Sequence, residues 1–485
     1  MKKIYQPTWN SLRTHQTPQW FQNAKFGIYT HWGVYSVPAT GPNGTWYPYN
    51  MYIEGTEQYE YHVKTYGHPS EFGYKDFIPM FTAEHFDADE WAELFNKSGA
   101  RFAGPVAEHH DGFAMWDSAY TEWNAAKMGP KRDVTGELAK AIRKQGMRFM
   151  VAMHHAENWW FFPHWDKRFD TADPRYSGLY GPIHDEDLVI NYEGEWDDPW
   201  NQQSRPSKEF LDLWKNKLVE VVEKYEPEYI WFDFGLQRVH EQYKQDFLAY
   251  YYNKGVEWGR GGTVVTYKWD NLPPGTAMVD LELGKMAEQT YYEWITDNTV
   301  DDGEGWCYLK DVGYRTSEGL IHYLIDNVSK NGYLLLNVGP KPDGTIPEPA
   351  KECLLGIGEW LEVNGEAIFD TVPWVAAGEG PTKMEKGGAF SDTRGDGKLQ
   401  YTPQDIRFTA KENVLYAACL GWPEKKLTIE TLKRLYPGEV QSVQMLGSQQ
   451  NLAWEMTGDG LVIERPDEKP CEHAFTFKIT RNKER

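Results

Sequence analysis

No stretch of the sequence approaches the roughly 18 consecutive apolar residues that a membrane-spanning helix requires, so the chain is expected to be soluble, with no membrane partner. Basic residues are scarce: 50 Lys and Arg face 72 Asp and Glu, a net charge of −22. That balance argues against nucleic acid as a partner, because phosphate binding relies on Lys and Arg to displace counterions. Cysteine is sparse too. Cys307, Cys353, Cys419 and Cys471 form no CxxC pair and no zinc-ligand spacing, and free thiols in a reducing compartment are the simplest reading. The opening MKKIYQPTWNSLRTHQTPQW has lysines but no apolar core and no small-residue cleavage site, so a cytoplasmic location is expected.

What is abundant is aromatic: 15% of the chain, with 22 Trp and 30 Tyr. Sugars stack their apolar C–H faces on such rings, so a carbohydrate ligand competes with plain core packing as the explanation. At 485 residues the chain is too long for one ordinary core, and two domains are expected.

The first three quarters repeats one theme, an amphipathic helix ended by Gly or Pro and followed by a short apolar strand. FDADEWAELFNKSGARFAGPVAEHH contains both parts: Asp87 caps, Trp91, Leu94 and Phe95 share a face, and Gly99 stops the helix. Strands are predicted at 25–30, 101–108, 148–154, 229–234, 263–269, 277–282 and 333–338. Such alternation means right-handed βα units on a parallel sheet. With no GxGxxG after the first strand, an α/β fold of the (β/α)8 TIM-type barrel is favoured over 1–370. Over 371–485 the texture changes to short alternating runs such as DIRFTA, VLYAACLG and AFTFKIT, read as a C-terminal all-β sandwich beyond a linker-like GEGPTKMEKGGAFSDTRGDGKLQ.

His31, Glu108, His109, His110, His154, His155, Asp233 and Glu282 all fall at the C-terminal ends of predicted strands, where barrel active sites are built. Asp233 ends the apolar EYIWFD among aromatic neighbours. Glycoside cleavage needs two carboxylates, one to attack or activate water and one to protonate the leaving oxygen. Glu282, at a strand end, is the first choice for the acid, and Glu293, on a loop among Tyr291, Tyr292 and Trp294, the second; Asp297 and Glu304 are further candidates. A metal-dependent hydrolase is the rival reading of the histidines. Adjacent side chains on an extended chain point to opposite faces, however, so His109 and His110 do not easily share one ion, and no metal or cofactor is expected.

KFGIYTHWGVYSVPA, WYPYNMY, AEHHDGFAMWDS, YIWFDFG and NGYLLLNVGPKPDGTIPEPAKECLLGIGEWLEVNGEAIFDT together resemble the α-L-fucosidases of glycoside hydrolase family 29, over nearly the whole chain. The resemblance implies a retaining exo-glycosidase acting on fucosylated small oligosaccharides without a cofactor, with Asp233 as nucleophile. It also implies fucose binding or pocket walls for His31, Trp46, Tyr47, His109 and His110, and a wall against the C5 methyl for Trp306. His154 and His155 fall where many members carry tyrosines, and are grouped with the substrate-binding residues.

Two departures stand out. Thr45 precedes Trp46 where many relatives read E-W-Y, and Trp294-Ile295-Thr296 replaces W-E-T, so the acid/base is a choice between Glu282 and Glu293 rather than a direct transfer. A changed pocket admits an L-galactoside, or a catalytically impaired fucose-binding protein, as the alternative. Glu108 and Asp111 are expected to orient the histidines beside them. A homo-oligomer is compatible with the sequence, which does not fix the state.

Overall fold

The computed structural model describes residues 4–184, 205–302, 305–392 and 399–482. Eight parallel strands close into a barrel in chain order: β1 (Phe26–Thr30), β2 (Phe102–Glu108), β3 (Arg148–Met153), β4 (Tyr229–Phe232), β5 (Val264–Lys268), β6 (Met278–Asp280), β7 (Trp294–Thr299) and β8 (Gly332–Val338). β8 returns to β1 through Phe26 opposite Leu334. Gly104 on β2 lets the strands approach: a Cβ there would lie 1.7 Å from the Met150 carbonyl oxygen.

Amphipathic helices cover the outside, among them α1 (Ala88–Lys97), α2 (Val134–Lys144), α3 (Lys208–Tyr225), α4 (Glu241–Trp258), α5 (Ser317–Ser329) and α6 (Glu348–Asn364). Asp87 caps α1 by accepting from the N–H groups of Asp89 and Glu90. The alternation of helix and strand lapses twice. Neither 269–277 nor 281–293 is helical, and the first falls short of the roughly one dozen residues a parallel crossover needs when a helix fills it.

The C-terminal domain packs a five-stranded antiparallel sheet, ordered β13-β16-β11-β10-β9, against a three-stranded one, β12-β15-β14. The strands are β9 (Val372–Glu379), β10 (Ile406–Lys411), β11 (Val414–Cys419), β12 (Lys426–Ile429), β13 (Val440–Met445), β14 (Trp454–Thr457), β15 (Gly460–Glu464) and β16 (Phe475–Arg481). Phe408, Leu415 and Phe477 from one sheet meet Ile429, Leu461 and Ile463 from the other in one core. A buried ion pair joins this domain to the barrel, Arg407 Nε donating to Asp326 Oδ1 on α5 at 2.5 Å.

The stretch read as a linker is only partly one. Gly388 N–H donates to the Lys285 carbonyl at 2.8 Å, Phe390 N–H to that of Glu282 at 2.6 Å, and Asp392 N–H to that of Leu283 at 2.7 Å. Residues 388–392 are thus stitched to the chain leaving β6.

Candidate active site

Every second side chain of a strand faces the barrel axis, and here the inward rows begin apolar and end in chemistry. Tyr29, Ala152, Trp231, Ile295 and Leu335 share one interior cluster. Two residues further along stand His31, His154, Asp233, Asp297 and Asn337, all buried. On β5 and β6, Thr266 and Met278 lead likewise to Lys268, Asp280 and Glu282. A step of two therefore sets a ring of polar groups at the C-terminal mouth.

β2 departs from the rule by one residue. Its register with β3 shifts between Val106 and Glu108, a bulge that inserts Ala107. Val106 faces the interior, but Glu108 turns to the helical layer, accepting from Lys217 Nζ at 2.5 Å with His155 Nδ1 at 2.9 Å. His109 takes the inward position instead, its ring 4.5 Å from that of His154 and 5.5 Å from that of His31.

Asp233 sits between two imidazoles: His154 Nδ1 lies 3.0 Å and His110 Nε2 3.3 Å from its Oδ2. Burial alone would raise the Asp233 pKa, yet these histidines hold it well below the usual carboxylate range. His110 also meets Glu157 Oε2 at 3.0 Å and donates from Nδ1 to the His154 carbonyl at 3.2 Å. Burial opposes the charged imidazole, but Glu157 and Asp233 raise its pKa to about 9. Burial pushes Glu157 itself up to about 7.

Glu282 has the opposite electrostatics from Asp233. Burial is the main cause that raises its pKa to about 8; Lys268 opposes, while Asp297 and Asp233 reinforce. Lys268, fully buried, reaches Asp297 at 2.7 Å, Asp280 at 2.8 Å and Glu282 at 3.3 Å. Trp231 Nε1 donates to Asp280, and the Tyr29 hydroxyl to Asp297, each at 3.0 Å. The mouth thus carries an ionised aspartate and a protonated glutamate at neutral pH, near enough to perturb one another.

Histidines and aromatics form the rest of the site. Asn337 Oδ1 accepts from the His31 backbone N–H at 3.0 Å and from Nδ1 at 2.9 Å, which leaves Nε2 as an acceptor for a ligand hydroxyl. The Asn337 amide also donates to the Trp306 carbonyl at 2.5 Å, fixing that half-buried indole 5.4 Å from His31. Trp46 lies 5.9 Å from His110 and 5.1 Å from Phe161. Burial keeps His31, His109 and His154 largely neutral. Potential ligand atoms of His31, His109 and His154, and of His110, His154 and Asp233, also lie within 4.8 Å of one another; the adjacent His109 and His110 belong to different groups.

Several expected residues stand elsewhere. Glu293 directly precedes β7 and accepts from the Tyr333 hydroxyl at 2.5 Å near the start of β8, so it occupies the N-terminal mouth. The barrel's depth, six strand residues at about 3.3 Å each, separates it from the opposite face. His155 faces outward and stacks on Phe210 of α3, as a neighbour of the inward His154 must. The Tyr47 hydroxyl pairs with His62 Nδ1 at 2.9 Å in the core rather than facing the site. Asp111 accepts from the Tyr74 hydroxyl at 2.7 Å and Glu108 serves His155, so neither orients His109 or His110; Glu157 and the His154 carbonyl hold His110. Ile295 lies in the apolar interior layer, below the mouth, and Glu304 lies outside the described residues.

Glu157, Lys268, Asp280 and Asn337 are absent from the sequence-derived candidates. Lys268 carried a signal: it is a lone cation at the end of an apolar strand.

A strong acid and a weak acid brought together at a barrel mouth, ringed by imidazoles and indoles, define a glycoside hydrolase. Comparison with known proteins narrows this. A model described as alpha-L-fucosidase matches residues 1–366, and one described as the alpha-L-fucosidase C-terminal domain matches 400–480. The chain belongs to the alpha-L-fucosidase family. It is 32% identical to plasma alpha-L-fucosidase of Homo sapiens over 505 residues, covering 98% of this chain and 92% of that protein. It is also 32% identical to tissue alpha-L-fucosidase of Bos taurus, covering 98% and 91%. The crystal structure of Thermotoga maritima alpha-fucosidase in complex with fucose superposes with a TM-score of 0.75 at 32% identity, over 98% of this chain and all (100%) of that one.

Proposed function

We propose that the chain is a retaining exo-glycosidase that releases terminal α-L-fucosyl units from small oligosaccharides, with Asp233 as nucleophile and Glu282 as acid/base. The opposite ionisation of these two carboxyls carries the reading. Asp233 attacks the anomeric carbon as the bond to the leaving oxygen breaks, and the Glu282 proton passes to that oxygen. Glu282, now a carboxylate, takes a proton from water, which displaces Asp233 and regenerates both groups. His31, His109 and Trp306 bind and wall the sugar. The four free thiols fit a reducing cytoplasm.

The test is hydrolysis of an aryl α-L-fucoside beside the α-L-galactoside, with the product anomer followed by NMR. Retention with preference for the fucoside supports the proposal; preference for the galactoside moves the substrate to that sugar. Asp233→Ala must abolish turnover, and Glu282→Ala must be rescued by azide as an α-fucosyl azide, the anomer that retention requires. Binding of fucose without turnover by the wild type, or loss of activity in chelator, overturns it.

A further inference from the structure

The acid that protonates a glycosidic oxygen must lie within hydrogen-bond reach of it, so the departing group rests on whatever surrounds that acid. Three aromatic residues from three parts of the chain are tied to the Glu282 segment through Lys268, the β5–β6 pairing and a backbone hydrogen bond. Phe234 follows the nucleophile, and its ring stacks at 4.3 Å on Trp269, which follows Lys268 on β5. Lys268 Nζ, 3.3 Å from Glu282, lies 5.7 Å from the Phe234 ring. β5 neighbours β6 directly, Lys268 opposite Asp280, so Trp269 rises beside the chain that bears Glu282. From the C-terminal domain, Phe390 N–H donates to the Glu282 carbonyl at 2.6 Å.

Trp269 is 39% exposed and Phe390 54% exposed, large rings left open to solvent at a mouth whose carboxyls and imidazoles are buried. Both have left-handed backbones, with φ of 49° and 57°. Bulky residues rarely accept that conformation, and it persists where the surroundings impose it, typically at ligand-binding sites. The surroundings here are tight: besides the backbone pairing, Asp392 Oδ2 accepts from Asn298 Nδ2 and Arg315, each at 2.9 Å.

We propose that Phe390, delivered by the C-terminal domain, forms with the Trp269–Phe234 pair a binding site for a pyranose leaving group, and so sets which fucosylated oligosaccharide is cleaved. The inference rests on the fucosidase reading. Ring faces bind the C–H face of a sugar and have no counterpart to grip in a fluoride ion.

The experiment compares kcat/KM for an α-L-fucosyl disaccharide with that for α-L-fucosyl fluoride, whose leaving group is too small to touch the platform. In Phe390→Ala the disaccharide-to-fluoride ratio should fall about tenfold, the size expected of one lost aromatic contact. Phe390→Tyr, which keeps the ring, should restore it. An unchanged ratio, or equal loss on both substrates, overturns the proposal. Wild-type enzyme that hydrolyses neither substrate overturns the fucosidase reading instead, and the two failures are distinct.

Discussion

Lys268 Nζ lies 3.3 Å from Glu282 Oε2, and its two shorter contacts, to Asp297 and Asp280, tie the acid to a buried charge cluster. The cation favours the ionised form of Glu282, so removing it must raise the pKa of that acid further. In Lys268→Met the descending limb of the pH profile of kcat/KM should move to higher pH, and Lys268→Arg should keep it in place. The methionine variant should also unfold more easily, since stripping one partner from a buried pair costs about 3–5 kcal/mol.

The wild-type profile follows from the same two carboxyls. Asp233 must be ionised, which its depressed pKa ensures throughout the neutral range, and Glu282 must be protonated, which holds up to about 8. Activity on a poor leaving group should therefore decline as pH rises through about 8. With α-L-fucosyl fluoride, which needs no proton, that decline should be absent from the wild type, and Glu282→Gln should lose far less kcat/KM on the fluoride than on a poor leaving group.

Glu293→Gln is the matching control. Its carboxylate holds the Tyr333 hydroxyl at the opposite mouth, so kcat/KM should stay within about twofold of wild type. Thermal denaturation should register the weakened hydrogen bond as a loss on the order of 1 kcal/mol.

Glu157 acts through His110. Removing its charge in Glu157→Gln should lower the His110 pKa from about 9, a shift that NMR titration of the imidazole would read directly. With a weaker donor facing Asp233, kcat/KM should drop about tenfold, the equivalent of one weakened charge-assisted hydrogen bond.

Much of the barrel was legible because its punctuation is local: Gly99 and Gly146 stop helices, and β-rich apolar runs follow. β7 escaped because its polar Thr296, Asp297, Asn298 and Thr299 are buried on both faces, so no hydrophobic alternation marked it, and Glu293 then read as a loop acid. The bulge at Ala107 reversed Glu108 for a different reason: an inserted residue changes which face every later side chain takes, and only the pairing with β3 reveals it. Segment 388–392 looked like a linker since its glycines and charges say nothing of the backbone partners 282–285 that it meets. Asp233 was visible because one short strand supplied its whole context, whereas Lys268 gains its meaning only from β6 and β7 beside it.

The stitching of 388–392 to the chain after β6 also has a temporal meaning. Residues matched by the barrel family model end at 366, and those matched by the C-terminal model begin at 400. A polypeptide emerging from the ribosome would have all eight barrel strands, with Asp233 and Glu282, in hand before the segment that braces Glu282 had been made. The backbone brace at Glu282 therefore forms only after residues 388–392 have followed the barrel strands out.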